Sequence, residues 1–258
     1  MAGNALTYEK FAAALSLCVG AAAGASAPVP LLSYEYPLAP EASIAEQVEL
    51  GLGTYTWLAR TLEAGAAAAG AASAPRIALV GDSAGGGIAA LLAQRLAALQ
   101  NLEEAPRSRV SDSGAPPPPS SLVLVSPALD IRADSASMHE NARRDVMLAH
   151  SVFDFTIAAL ELNLKHTAPP RGLQAPEYSA LHGSWAGLPP VYLWVAEAEA
   201  LRDDTTRATA AIRAAGGEAE VVVALCAWHE LPIWAHAVPE GAEAIASIAR
   251  FVGSKVGQ

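Results

Sequence analysis

The sequence holds 258 residues, 52% hydrophobic and only 16% charged, which is enough apolar material for one large core or a core with a small cap. With 16 basic against 26 acidic residues the net charge is −10, which argues against nucleic acid or an anionic membrane surface as partner and leaves a small neutral molecule open. No uninterrupted apolar run of about 18 residues occurs, so no stable membrane insertion is expected.

The N-terminus admits two readings. Lys10 precedes an apolar run from Phe11 to Ala23, and Ala25-Ser26-Ala27 resembles a signal-peptidase site. The same residues fit a helix packed on a sheet, with Glu9 and Lys10 in its early turns and Gly24 near its end. We adopt the helix, because removing residues 1–27 would uncover the buried strand expected next. The chain is then expected to be cytoplasmic, and secreted if residues 1–27 act as a signal peptide.

From residue 28 onward, strands and helices are expected to alternate. Strands are expected at Leu31–Tyr36, Arg76–Gly81, Ser121–Ser126, Val191–Ala196 and Val221–Cys226. Helices are expected at Ser43–Leu62, Ala84–Gln100, Thr205–Ala215 and Glu240–Val252. Continuous Val/Ile/Leu strands separated by helices indicate a mainly parallel sheet covered on both faces. The chain thus reads as a single domain over 1–258. Residues 131–190 break the rhythm and read as a partial cap, partly helical at Ala149–Leu164. Residues 105–120, which include Pro116 to Pro119, read as a surface loop, and the alanine-rich stretch 64–73 as a helix end or loop. Cys18 and Cys226 show no metal-ligand spacing; they could form one long-range disulfide, but two inert thiols is the reading adopted.

Residues 81–85 read Gly-Asp-Ser-Ala-Gly, with a strand expected before them and a helix after. In that setting the serine sits on a strained strand-to-helix turn, and flanking glycines let neighbouring backbone approach closely. The turn lifts the Ser83 hydroxyl above the sheet edge. It also puts the Ala84 N–H at a helix start, where it can stabilise an oxyanion. The competing reading is a phosphate-binding turn, which would usually carry a Lys-Ser/Thr pair after its glycines; here Gly87 is followed by Ile88 and Ala89.

A serine hydroxyl needs a base, and the base needs an acid to orient it. Of six histidines, His229 follows an expected strand and so lies at the sheet's catalytic edge. His139, His150 and His166 fall in the cap, His182 in the loop before a strand, and His236 seven residues past His229. Four carboxylates compete for the acid after Val191–Ala196: Glu197, Glu199, Asp203 and Asp204. Position favours Glu199, followed by Asp203. Asp203 and Asp204 stand at the next helix start, where Asp usually caps or complements the dipole.

Taken together, four stretches resemble the hormone-sensitive-lipase-like esterases, the α/β-hydrolase fold-3 family. They are Ser33-Tyr34-Glu35-Tyr36-Pro37-Leu38-Ala39-Pro40-Glu41, with Pro37 where that family has arginine; Gly81-Asp82-Ser83-Ala84-Gly85-Gly86; Ser126-Pro127-Ala128-Leu129-Asp130; and Gly187-Leu188-Pro189-Pro190 with Ala196–Asp204. The likeness runs from about residue 3 to the end. It implies an α/β-hydrolase fold and carries the acid onto Glu199, a glutamate in place of the commoner aspartate, and the base onto His229. It also implies a His-Gly-Gly-Gly segment whose amides build most of the oxyanion hole. No such segment occurs here. Gly3 matches only its tail, so the chain reads as truncated and its activity is expected to be weak or absent.

The function expected is hydrolysis of a small carboxylic ester through an acyl-enzyme on Ser83, with no metal or organic cofactor. The alternative is a non-catalytic small-ligand-binding protein on the same scaffold; His229 argues against it. A peptidase or thioesterase remains open because the triad chemistry is shared.

Overall fold

The computed structural model describes residues 6–71, 76–103, 114–132, 134–148, 150–164, 172–173 and 175–256. Gly3, Ala149 and residues 105–113 of the proline-rich stretch lie outside the described residues.

A fully parallel four-stranded sheet runs in the order β1 (Ala78–Asp82), β2 (Ser121–Val125), β3 (Val191–Ala196) and β4 (Ala219–Ala224). Side chains on a strand alternate between faces, and the core divides accordingly. Val123, Val125, Tyr192 and Trp194 pack on one face with Phe11, Leu15 and Val19 of α1 (Glu9–Ala22) and with Ile245, Ile248 and Phe251 of α7 (Pro239–Val256). Leu122, Leu124, Val191 and Leu193 pack on the other face. There they meet Ile88 to Leu91 of α3 (Ser83–Glu103) and Ala208 and Ile212 of α6 (Arg202–Ala214). All of β2 and β3 is buried, so β3, and β2 after Ser121, read as unbroken apolar runs.

The N-terminal helix expected from the sequence is present. Phe11, Leu15 and Val19 recur every four residues and form its buried stripe. It ends in a Schellman arrangement: Gly24, at φ +70°, donates to Ala21 O, and Ala25 donates to Gly20 O.

The expected strand at Leu31–Tyr36 does not form. This segment is irregular, and Leu31 and Leu32 are exposed. Prolines at 28, 30, 37 and 40 bracket it, so the chain on either side lacks donors with which to extend a ladder. It is pinned instead to α2 (Ile44–Ala68), where Tyr34 Oη donates to Gln47 O at 2.9 Å and Gln47 Nε2 to Pro37 O at 2.7 Å. Helix α2 opens with a capping box. Ser43 Oγ accepts the Glu46 N–H and Glu46 Oε2 accepts the Ser43 N–H.

Within 131–190 the described residues form α4 (Ala136–Glu140), α5 (His150–Leu164) and a 3-10 turn at Ala180–His182. Met138 and Leu148 bury against Ala200 and Leu201, just beyond β3. Both cysteines are free. Among the described residues no helix is long and apolar enough to cross a membrane.

Candidate active site

Ser83 is the first residue of α3 and follows β1 directly. It holds φ +50°, a left-handed conformation that costs a non-glycine residue about 1–3 kcal/mol and is retained only where surrounding structure enforces it. Glycines permit that turn. A Cβ on Gly81 would strike the Gly85 carbonyl and come within 2.8 Å of Ala89 Cβ; one on Gly86 would come within 2.8 Å of Pro127 Cβ. Ser83 O is fixed by the Ala128 N–H at 2.9 Å. Ala84, exposed, is the next residue, and its N–H belongs to the first helical turn, whose donors have no partner within the helix.

His229 lies in the turn after β4 and is fully buried. Its Nε2 is 3.0 Å from Ser83 Oγ and its Nδ1 is 2.7 Å from Glu199 Oε2. A carboxylate only accepts, so Nδ1 carries the proton and Nε2 presents a lone pair to the serine hydroxyl. The three side chains singled out from the sequence are thus brought into one hydrogen-bonded chain.

The other carboxylates are engaged elsewhere. Asp203 accepts the Ser137 N–H at 2.9 Å and pairs with Arg202. Glu197 forms a surface fork with Arg144. Asp204 does not serve its own helix start. It points inward, and its Oδ2 accepts the N–H groups of Leu129 and Asp130 at 2.8 and 2.9 Å. Burial pushes its carboxyl up to about 6, against the pull of those two donors.

Residues not given a role from the sequence complete the surroundings. Glu199 Oε1 accepts from Ser126 Oγ at 2.8 Å and from the Ala196 N–H at 2.6 Å. Asn141 Nδ2 donates to Glu199 O, and Asp145 Oδ2 accepts the Ala200 N–H, so the segment after β2 grips the acid's loop. Ser126 was legible only as part of the Ser-Pro-Ala-Leu-Asp resemblance. Asn141 and Asp145 carried no signal.

A second acidic group stands beside His229. Glu230, buried and at φ +59°, places Oε1 3.7 Å from His229 Nε2. Its carboxyl also lies near Asp82, whose Oδ2 accepts from Tyr8 Oη at 2.6 Å. Burial, then the neighbouring Asp82 and the charge of Glu199, push Glu230 up to about 9. Burial and the same neighbouring Asp82 push Tyr36 up to about 12 and raise Tyr8 well beyond the ordinary phenol range.

A family model described as the alpha/beta hydrolase fold matches residues 3–232. The chain belongs to this α/β-hydrolase family. Within it the likeness is to esterases of the hormone-sensitive-lipase type. The chain is 29% identical over 228 residues to Esterase LipU of Mycobacterium tuberculosis, covering 88% of this chain and 68% of that protein. It is 32% identical over 248 residues to an acetyl-hydrolase of Streptomyces hygroscopicus, covering 95% and 70%. A crystal structure of an esterase from the bacterial hormone-sensitive lipase family superposes with a TM-score of 0.71 at 31% identity, covering 93% of this chain and 69% of that one. By family this α/β-hydrolase is a carboxylic ester hydrolase, and the chain spans roughly two thirds of the length of these relatives.

Proposed function

We propose that Ser83, His229 and Glu199 are the nucleophile, base and acid of a carboxylesterase acting on small esters. The observation that carries this reading is the unbroken hydrogen-bonded run from Ser83 Oγ through His229 to Glu199 Oε2. His229 Nε2 takes the Ser83 proton as Oγ attacks the ester carbonyl, while Glu199 holds the ring and stabilises the imidazolium. The Ala84 N–H donates to the developing oxyanion. Collapse of the tetrahedral intermediate passes the proton from Nε2 to the leaving alcohol and leaves an acyl-Ser83. Water, deprotonated by the same nitrogen, then releases the acid and restores the serine.

Residues 131–190 act in this reading as a partial cap on a single domain. The burial of Met138 and Leu148 against Ala200 and Leu201 ties them to the acid's loop. We place the protein in the cytoplasm; the burial of Phe11, Leu15 and Val19 in the core supports α1 as part of the fold rather than as a cleaved signal.

The test is labelling with a fluorophosphonate, followed by peptide mapping and hydrolysis of a short-chain p-nitrophenyl ester. Label on Ser83, with labelling and turnover both lost in Ser83→Ala, is the expected result. Label on another serine with Ser83 untouched would overturn the assignment.

A further inference from the structure

The loop that carries the acid, residues 197–201, forms neither helix nor strand, so its backbone groups need partners from outside. Three side chains of one segment far away in sequence supply them. Ser137 Oγ donates to Ala200 O at 2.6 Å. Asn141 Nδ2 donates to Glu199 O at 2.9 Å and to Glu197 O at 3.2 Å. Asp145 Oδ2 accepts the Ala200 N–H at 2.8 Å. We propose that Ser137, Asn141 and Asp145 are positioning residues for the reaction, holding the backbone of this loop so that Glu199 reaches His229. This rests on the triad reading of the same site.

The three residues are spaced four apart, and the backbone keeps them on one side. The Asn141 N–H donates to Ser137 O at 2.9 Å and the Asp145 N–H to Asn141 O at 2.8 Å, which continues the helical pattern of α4 past its end. Each side chain is itself fixed. Asn141 Oδ1 accepts from Arg144 Nη1 at 3.1 Å, which sets the amide so that Nδ2 faces the two loop carbonyls. Asp145 Oδ1 accepts the Met147 and Leu148 N–H groups at 2.9 Å each, and Ser137 Oγ accepts the Asp203 N–H at 3.1 Å. Ser137 and Asn141 are fully buried, so removing either leaves loop groups without a partner.

The bonds from the strand ends, Ser126 Oγ and the Ala196 N–H, reach only the carboxylate of Glu199. Its peptide groups are held within the loop by longer bonds, Glu199 N–H to Ala196 O at 3.2 Å and Arg202 N–H to Glu199 O at 3.3 Å. The 2.9 Å bond from Asn141 is shorter than either. Precision matters here, because a misplacement of about 1 Å at a catalytic group can cost on the order of 10²-fold in rate. Ser137, Asn141 and Asp145 belong to the segment read as a partial cap, and Leu148 just beyond them packs with Ala200 and Leu201. The acid is thus placed from the cap side as well as from the end of β3.

The experiment is a double-mutant cycle. Asn141→Ala and Ser137→Ala are made in the wild type and in Glu199→Gln. Turnover of p-nitrophenyl acetate and the rate of Ser83 phosphonylation by a fluorophosphonate are measured, each normalised to the sites that finally label. In the wild type, Asn141→Ala should lower kcat and the phosphonylation rate on the order of tenfold, and Ser137→Ala about threefold, with KM changed by less than about twofold. In Glu199→Gln both substitutions should cost less than about twofold, because the carboxylate they place is gone. A loss of the same size in both backgrounds means that these side chains serve folding alone, and no loss in the wild type means that Glu199 is placed without them; either result overturns the proposal. Should Asn141→Ala not fold, Ser137→Ala, which removes a single hydroxyl, decides by the same criteria. Turnover surviving in Ser83→Ala, or Glu199→Gln as active as the wild type, overturns the triad reading and this proposal with it.

Discussion

Ser126 Oγ donates to Glu199 Oε1 at 2.8 Å and accepts the Glu230 N–H at 3.2 Å, so one hydroxyl ties the acid of the site to the chain just beyond His229. Ser126 itself is at φ +46° in the turn that ends β2, the same kind of backbone that Ser83 adopts at the end of β1. Three neighbouring strand ends are thereby joined by side chains rather than by the ladder.

Ser126→Ala removes a donor to Glu199 and an acceptor for a buried N–H. A hydrogen bond to a charged group is worth about 1.5–3 kcal/mol. The expected outcome is a kcat lowered on the order of tenfold or more with a folded, cooperative thermal transition. Steady-state kinetics on a p-nitrophenyl ester, with circular dichroism as control, checks it.

Glu199→Gln presents an amide to His229 Nδ1 and stabilises the wrong tautomer, the one with its proton on Nε2. The rate should fall on the order of 10³–10⁴-fold, as expected for the acid of such a triad. Asp203→Asn, by contrast, disturbs only the contacts to Ser137 and Arg202 and should change kcat by less than about twofold. Comparable losses in both variants would place the acid elsewhere.

Asp204 gives a pH signature to stability rather than to rate. Its carboxyl is raised to about 6, so the folded state holds that proton longer than the unfolded chain does. Its contribution is therefore fully present below the ordinary carboxylate range and is lost as pH rises through about 6. Asp204→Asn keeps an oxygen for the Leu129 and Asp130 N–H groups but cannot titrate. The stability advantage of the wild type over this variant should shrink between pH 4 and pH 6.5, roughly the window set by the two values. Thermal melts across that range test it, and a constant difference would mean that Asp204 titrates normally.

How much of this was legible differs by element for physical reasons. The bounds of β3 coincide with its apolar run, because a central parallel strand is buried on both faces. The run at β4 was read two residues too late. No residue of this edge strand is fully buried, and the apolar Leu225 continues past the ladder into solvent. Leu31–Tyr36 has a strand-like composition but prolines on either side, and it docks on α2. The serine turn is a local feature, so Gly81 to Gly86 were enough to find it. Glu199 took a strand end plus a resemblance. Ser126 and Glu230 could not be assigned, because their partners depend on how closely the ends of β1, β2, β3 and β4 approach. Asp204 was expected to serve its own helix; its inward rotamer is set by the orphan amides at Leu129 and Asp130.

The layout of the sheet also has a kinetic consequence. The strands stand side by side in chain order, each paired in parallel with the next. Yet 146 residues of chain separate Ser83 from His229, and Glu199 lies 30 residues before the histidine. Parallel pairs close only over long crossovers, whose entropy must be met before any contact rewards it. Helices can regain their signal while the strand ends are still apart. The Ser83–His229–Glu199 chain exists only after the first, third and fourth strands have docked in register. After dilution from denaturant, the reactivity of Ser83 is thus a clock for the last step of refolding, returning later than helical circular dichroism.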